Sequence, residues 1–348
     1  MTLASFEALQ LFLFFFLLYG IALISVRLMQ AVAVVLFVAN SVSLYFITTY
    51  GVELDDSMIA NILNTDTREA RAFDNREIVL LPDASFAASV PAGQKDVVVL
   101  MIGESSRRAN SSMYGYARET MPEARAHGMI ALQNGMSCAT NTIAAVSCIL
   151  SYQGSKAPPV ANYEPLPSYL QRMGVEMIVR LNNTGTPPLN VAQNQWANEV
   201  VAGCTENCPD KKSDAALVYG LAERIAAAKS DRVFVLIHVT GGPGPAYFKK
   251  YPPEFERFTP VCKSVQLADC TADELVNADD NTIVFTDALL GQVIDQVASL
   301  MAAKGIMAAD ISTAKVAAQD IPFHTVMGAF GMTSPIYKPQ FDLFAVAP

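Results

Sequence analysis

The first fifty residues are almost wholly apolar. Residues 8–26 (ALQLFLFFFLLYGIALISV) carry no charge and are long enough to cross a bilayer as a helix. After Arg27, residues 28–50 form a second uncharged stretch with an aromatic-rich end. Two spanning helices joined by a tight turn fit this pattern better than a cleavable signal peptide, whose apolar core is shorter and ends at small residues. Arg27 is the single charge between them, whereas Glu53, Asp55 and Asp56 follow the second. The positive-inside rule therefore places the turn in the cytoplasm and everything after residue 50 outside.

Beyond residue 52 the pattern changes. Residues 55–67 (DDSMIANILNTDT) read as a capped amphipathic helix near the membrane surface, and residues 71–95 mix charge, Pro, Ala and Gly as a linker does. Three short, continuous apolar runs follow: Asp96–Ile102, Val175–Leu181 and Arg232–His238. Runs of this length and Val content suit strands buried on both faces. Helical periodicity appears between and after them, at Leu166–Met173, Asp214–Ala228 and Asp273–Ala302. Alternating strands and helices predict an α/β domain with a mainly parallel sheet flanked by helices. The expected organisation is a transmembrane pair over 1–52, a juxtamembrane helix and linker over 53–95, and an extracytoplasmic domain over 96–348. No internal repeat or low-complexity tract interrupts it.

Composition sharpens this picture in two places. A net charge of −9 with no basic run argues against nucleic-acid binding, which needs clustered Lys and Arg. The six cysteines fall into close pairs, Cys138 with Cys148, Cys204 with Cys208 and Cys262 with Cys270. Behind an apolar N-terminus, that arrangement suggests disulfides and an oxidising compartment over free core thiols, and the absence of CxxC spacing weighs against a zinc ribbon.

Two segments carry candidate chemistry. Glu104, in Gly103-Glu104-Ser105, follows the first strand directly, where ligands gather in open parallel sheets. It reads equally as a cation-binding carboxylate and as a surface or capping residue. In SCATNTIAAVSCIL (137–150), one of Thr140, Asn141 and Thr142 should cap the helix that begins there. A hydroxyl at such an N-terminus is suited to a phosphate and, beside a metal, to nucleophilic attack, although capping is its commoner role.

The segments VVVLMIGESSRRANSSMYGYARETMPE, SCATNTIAAVSC, GPAYFKKYPPEFERFTPVC and NADDNTIVFTD resemble the phosphoethanolamine transferases that modify lipid A and related envelope glycolipids. These belong to the alkaline phosphatase/sulfatase superfamily and include colistin (polymyxin) resistance enzymes. The similarity runs from about residue 36 to 300 and resumes at FHTVMGAFGMTSPIYKPQFDLFA. It implies an inner-membrane enzyme with a periplasmic catalytic domain, expected to be monomeric. Phosphatidylethanolamine would be the donor, and a lipid A or other glycolipid phosphate or sugar the acceptor. Glu104 and Thr142 would bind zinc, Thr142 would be the nucleophile that carries the phosphoethanolamine group, and Asn183 would lie near that group. The cysteine pairs coincide with three disulfides of the family.

The chain departs from the family in three ways. An Asp-His motif is missing, and the stretch around 300–322 looks like a deletion that removed a strand, two zinc ligands and a further site histidine. A site histidine of the family is Pro243 here. Two transmembrane helices are visible where the family has about five. Of the remaining histidines, His127 reads as a solvated loop residue, His238 as a satisfied core residue and His324 as a non-ligand position; Asp280 and Asp287 read as surface acids. Weak zinc retention is expected. The competing reading is a catalytically silent, membrane-tethered domain that binds lipid headgroups. A CxPxR-type sulfatase motif is absent.

Overall fold

Each of the three Val-rich runs forms a strand: β1 (Asp96–Ile102), β2 (Glu176–Leu181) and β4 (Arg232–His238), joined by a two-residue strand β3 (Gln195–Trp196). All pair in parallel in the order β1-β4-β2-β3, with Ile102 and Leu181 in register with His238. The computed structural model describes residues 15–16, 18–50, 87–89, 96–132, 135–156, 164–303 and 321–345. It divides into two units, Met1–Ile59 and Ala60–Pro348.

In the first unit, residues 18–24 are helical and α1 spans Val26–Tyr50. The expected tight turn at Arg27 is not seen: the helical run is interrupted at Ser25 alone, whose hydroxyl accepts the Leu28 N–H while its backbone bonds Ile21 and Met29 in the helical pattern. At 25 residues, α1 is about 38 Å long, enough for a hydrocarbon core of about 30 Å. Phe15, Phe16, Leu23, Ile24 and Phe37 are strongly exposed. The juxtamembrane helix expected over 55–67 lies outside the described residues.

In the second unit, alternate residues of β4 enter different cores. Phe234 and Leu236 pack with α3 (Thr142–Leu150), α4 (Leu166–Arg172) and α9 (Ile321–Ala329). Val233, Val235 and Ile237 pack with α5 (Ala197–Val200), α6 (Ala215–Val218), α7 (Leu221–Ala226) and α8 (Ala272–Ala303). Among the described residues β1 pairs only with β4, and most of its side chains are half-buried. The stretch taken as a deletion lies largely in 304–320, outside the described residues. From residue 321 the chain covers the first core with Phe323, Val326, Met327 and Phe330.

Three sequence expectations change. The helix over 214–228 is two helices broken at Tyr219-Gly220, where Gly220 is left-handed and buried Arg180 donates to the Leu217 and Tyr219 carbonyls. Within the expected linker, Ser89 bridges Thr333 by reciprocal backbone bonds of 2.9 and 3.1 Å. Asp280 and Asp287 are buried, not surface acids. The Asp280 carboxylate accepts from Asn110, Tyr116 and Arg118, and that of Asp287 accepts the Glu123 and Ala124 N–H groups at the start of α2 (Pro122–Ala126). Both acids pin the segment after β1 onto α8. Although α8 is long and apolar enough to cross a membrane, these buried acids and the core stripe Phe285, Leu289 and Val293 make it a core helix. It opens with a capping box, Thr271 exchanging bonds with Glu274.

Candidate active site

Three strands deliver the site to one rim of the sheet, the carboxyl end where ligands of open α/β sheets bind. Glu104 follows β1, Asn183 follows β2, and the segment Val239–Gly241 follows β4. The Glu104 carboxylate is held from two sides: Ser105 Oγ donates to Oε1 at 2.8 Å and Asn183 Nδ2 to Oε2 at 3.2 Å. Ser105 takes a left-handed backbone (φ 57°), which places its hydroxyl back on the preceding side chain.

Asn183 is the hub. Besides Glu104, its amide donates to the Val239 carbonyl at 3.1 Å, and its Oδ1 accepts the Gly185 N–H at 2.8 Å. That last bond is an Asx turn, which an Asn-x-Gly sequence favours. The turn brings Gly185 against Thr142: a Cβ added at Gly185 would lie 2.7 Å from the Thr142 Cβ and Cγ2. Glu104 and Thr142 thus meet opposite ends of the Asn183–Gly185 turn.

Thr142 is the first residue of α3. Its neighbour Asn141 is the cap, accepting the Ala144 N–H at 2.9 Å. Capping is therefore done by the preceding side chain, and the Thr142 hydroxyl makes no hydrogen bond among the described residues. Other first-turn N–H groups have no partner inside the helix. The Cys138–Cys148 disulfide ties the approach of this segment to the body of α3; Cys204–Cys208 and Cys262–Cys270 are also bonded, as the spacing suggested.

Sequence reasoning passed over the supports. Asp214, buried at the start of α6, accepts the Thr240 and Gly241 N–H groups and the Asn182 amide. Burial raises its pKa, while these donors oppose the shift. Gly241 is left-handed (φ 60°) and packs so closely on Glu104 that an added Cβ would lie 2.6 Å from its carbonyl oxygen. The Asn-x-Gly-Thr string was the available signal for the turn; nothing local marked Asp214.

Two of the three histidines make contacts that the sequence did not suggest. His127 is no free loop residue: it caps α2, bonded to the Glu123 carbonyl at 2.8 Å and Asp295 at 2.9 Å, and these partners raise its pKa. His238 is fully buried, but among the described residues only half satisfied: Nδ1 meets Thr186 and Nε2 has no partner. Burial lowers its pKa to about 4. His324 is a core residue, bonded at both ring nitrogens to backbone of Tyr152 and Lys338.

For zinc, Glu104 and Thr142 are two oxygen donors, whereas a catalytic zinc takes three protein ligands. Among the described residues no group of three or more His, Cys, Asp or Glu stands close enough to hold a metal. Pro243, in the loop after β4, adds no donor. The described residues do not fit a zinc centre by themselves.

Comparison with known proteins covers both units. A family model described as sulfatase matches residues 96–304, and one described as phosphoethanolamine transferase EptA/EptB matches residues 11–86. Phosphoethanolamine transferase EptA of Helicobacter pylori is 28% identical, over 80% of this chain and 69% of that protein. Phosphatidylethanolamine transferase Mcr-1 of Escherichia coli is 33% identical, over 61% of this chain and 41% of its own length. This chain therefore spans less than half of the second relative. The integral membrane lipooligosaccharide phosphoethanolamine transferase A from Neisseria meningitidis superposes with a TM-score of 0.65 at 20% identity, covering 92% of this chain and 71% of that one, which shows the fold.

Proposed function

This chain belongs to the sulfatase family, and we propose that it transfers phosphoethanolamine from phosphatidylethanolamine to a phosphate or sugar of lipid A or another envelope glycolipid. The N-terminal match to phosphoethanolamine transferases and the two relatives support phosphoethanolamine as the group transferred and phosphatidylethanolamine as its donor. The observation that carries it is the Asn183–Gly185 turn, which holds the Glu104 carboxylate at one end and at the other abuts Thr142, whose hydroxyl is unengaged among the described residues. Apolar residues 15–50 tether the chain in the inner membrane, and residues 96–345 work in the periplasm, where the three disulfides persist.

In the first half-reaction the Thr142 oxygen attacks phosphorus. A bond from phosphorus to Thr142 Oγ forms, the bond to the diacylglycerol oxygen breaks, and the threonine proton leaves with diacylglycerol. In the second, an acceptor oxygen displaces Thr142 and returns a proton to it. Phosphoryl transfer depends on placement and on compensating charge at the phosphoryl oxygens. Both Asn183 amide protons are taken by Glu104 and the Val239 carbonyl, so the first-turn N–H groups of α3 that the Asn141 cap leaves unbonded among the described residues are the donors available here. Zinc, expected from the family, carries no step of this account. Two oxygen donors support weak retention at most.

Expression in a Gram-negative host followed by mass spectrometry of lipid A tests the proposal. The unaltered chain should add phosphoethanolamine, and Thr142→Ala should abolish the addition. Absence of any addition by the unaltered chain overturns the proposal. It would favour the reading as a tethered, catalytically silent lipid-binding domain, which the incomplete donor set among the described residues supports.

A further inference from the structure

His238 ends β4 between β1 and β2, with no exposed surface, directly beneath the rim that carries Asn183. No step of the proposed chemistry uses it. Its Nδ1 lies 2.6 Å from the Thr186 hydroxyl, which itself lies 2.9 Å from the Asn183 carbonyl. A hydroxyl has one proton and a carbonyl has none, so Thr186 donates to Asn183. Toward His238 it can only accept. The imidazole proton therefore sits on Nδ1, leaving an unprotonated Nε2 in the core, where no partner meets it among the described residues. The opposite tautomer would face two acceptors across 2.6 Å and bury an unpaired N–H at Nε2.

We propose that His238 and Thr186 are positioning residues that act through Asn183: a buried Nδ1–H imidazole holds the Thr186 hydroxyl, which closes the turn from Asn183 to Thr186. The same turn contains the Gly185 N–H bond to Asn183 Oδ1 and the contact of Gly185 with Thr142. With the backbone of Asn183 fixed by Thr186 and its Oδ1 by Gly185, its Nδ2 has one direction left, toward Glu104 and the Val239 carbonyl. Opening the relay frees the carboxamide to swing, Glu104 loses a donor, and Gly185 no longer abuts Thr142. The catalytic consequence rests on the transferase reading; the hydrogen-bond order does not.

The sequence holds three histidines, which makes the test direct. In the full chain labelled with 15N-histidine in lipid nanodiscs, a His238→Asn variant identifies the His238 signals. At pH 7 they should show a neutral ring with the proton on Nδ1. A proton on Nε2, or on both nitrogens, overturns the relay. Selective 15N-asparagine labelling reads the other end: Thr186→Val should shift the Asn183 side-chain amide and speed its exchange with water, and Thr186→Ser should restore both. An Asn183 amide indifferent to Thr186→Val overturns the positioning claim whether or not the chain is active.

In an active chain, Thr186→Val and His238→Leu should lower kcat by roughly 10–100-fold with little change in KM, since about 1 Å of misplacement costs up to about 10²-fold. Thr186→Ser and His238→Asn, whose Nδ2 can take the place of Nδ1, should retain most of the rate. Unchanged kcat in Thr186→Val overturns the claim. Failure of the unaltered chain to transfer phosphoethanolamine, with the expected spectra intact, sinks the transferase reading alone.

Discussion

Replacing Gly185 by Ala isolates the contact on which the site depends. Its backbone is not in the left-handed region, so alanine introduces no conformational strain there. The new methyl would stand 2.7 Å from the Thr142 Cβ and Cγ2 and 3.1 Å from Asn183 Oδ1. Carbon atoms rest at about 3.5–4.0 Å, so relief requires about 1 Å of movement between the turn and Thr142. Overpacking of this kind costs about 1–3 kcal/mol of stability, or roughly 2–12 °C in Tm for a domain of this size. For the reaction, about 1 Å of misplacement lowers the rate about 10²-fold, equivalent to about 2.7 kcal/mol on the barrier. The rate should therefore fall much further than partial unfolding at the assay temperature explains. The assay is phosphoethanolamine transfer by purified protein, scored by mass spectrometry of the acceptor lipid, with Tm measured on the same sample. Gly203→Ala, where an added Cβ meets nothing within 4 Å, is the control and should leave the rate unchanged. Adding Thr142→Ser to Gly185→Ala removes the Cγ2 overlap and should recover part of the loss. A folded Gly185→Ala protein with the rate of the unaltered chain would refute the placement of Thr142 against this turn.

Other expectations concern the frame around the site. Asp287→Ala should lower stability by about 2–3 kcal/mol, because two N–H groups of α2 lose their acceptor in the core, and Asp287→Asn by about half as much; chemical denaturation measures both. Burial chiefly raises the Asp279 pKa to about 6, with Asp280 adding and Arg107 opposing. The folded state therefore holds this proton where the unfolded chain releases it near its ordinary value of 3.8, so stability falls as pH rises between those values. Asp279→Asn should flatten that part of the Tm–pH curve and raise Tm at pH 7. Replacing Cys138 and Cys148 together by Ala opens a loop with a sequence separation of 10, an expected loss of about 3 kcal/mol by chain entropy, and should lower transfer beyond the loss of folded protein; an unchanged rate per folded molecule would show that the clamp does not order α3's entrance.

Local pattern was enough for much of this protein. Valine-rich runs bounded by polar residues have few alternatives to buried strands, so β1, β2 and β4 were legible, as was the long helix α8 from its periodicity. The cysteine pairs were legible because short separations leave few partners. As candidates, Glu104 could be picked out by its position after β1, Thr142 by its place at the start of a helix, and Asn183 by resemblance.

Their mutual arrangement was a tertiary matter. Nothing near Asp214, Asp280 or Asp287 in the chain announces a buried acid, because its donors come from segments far away in sequence. An acid on an amphipathic helix is ordinarily solvated, and only the docking of distant N–H groups makes its burial tolerable. His238 shows the same limit: a histidine ending a strand is unremarkable until packing removes its water and leaves one hydroxyl in reach. Sequence periodicity chooses elements, because that choice is local; the partners of a buried polar atom are decided by which elements meet.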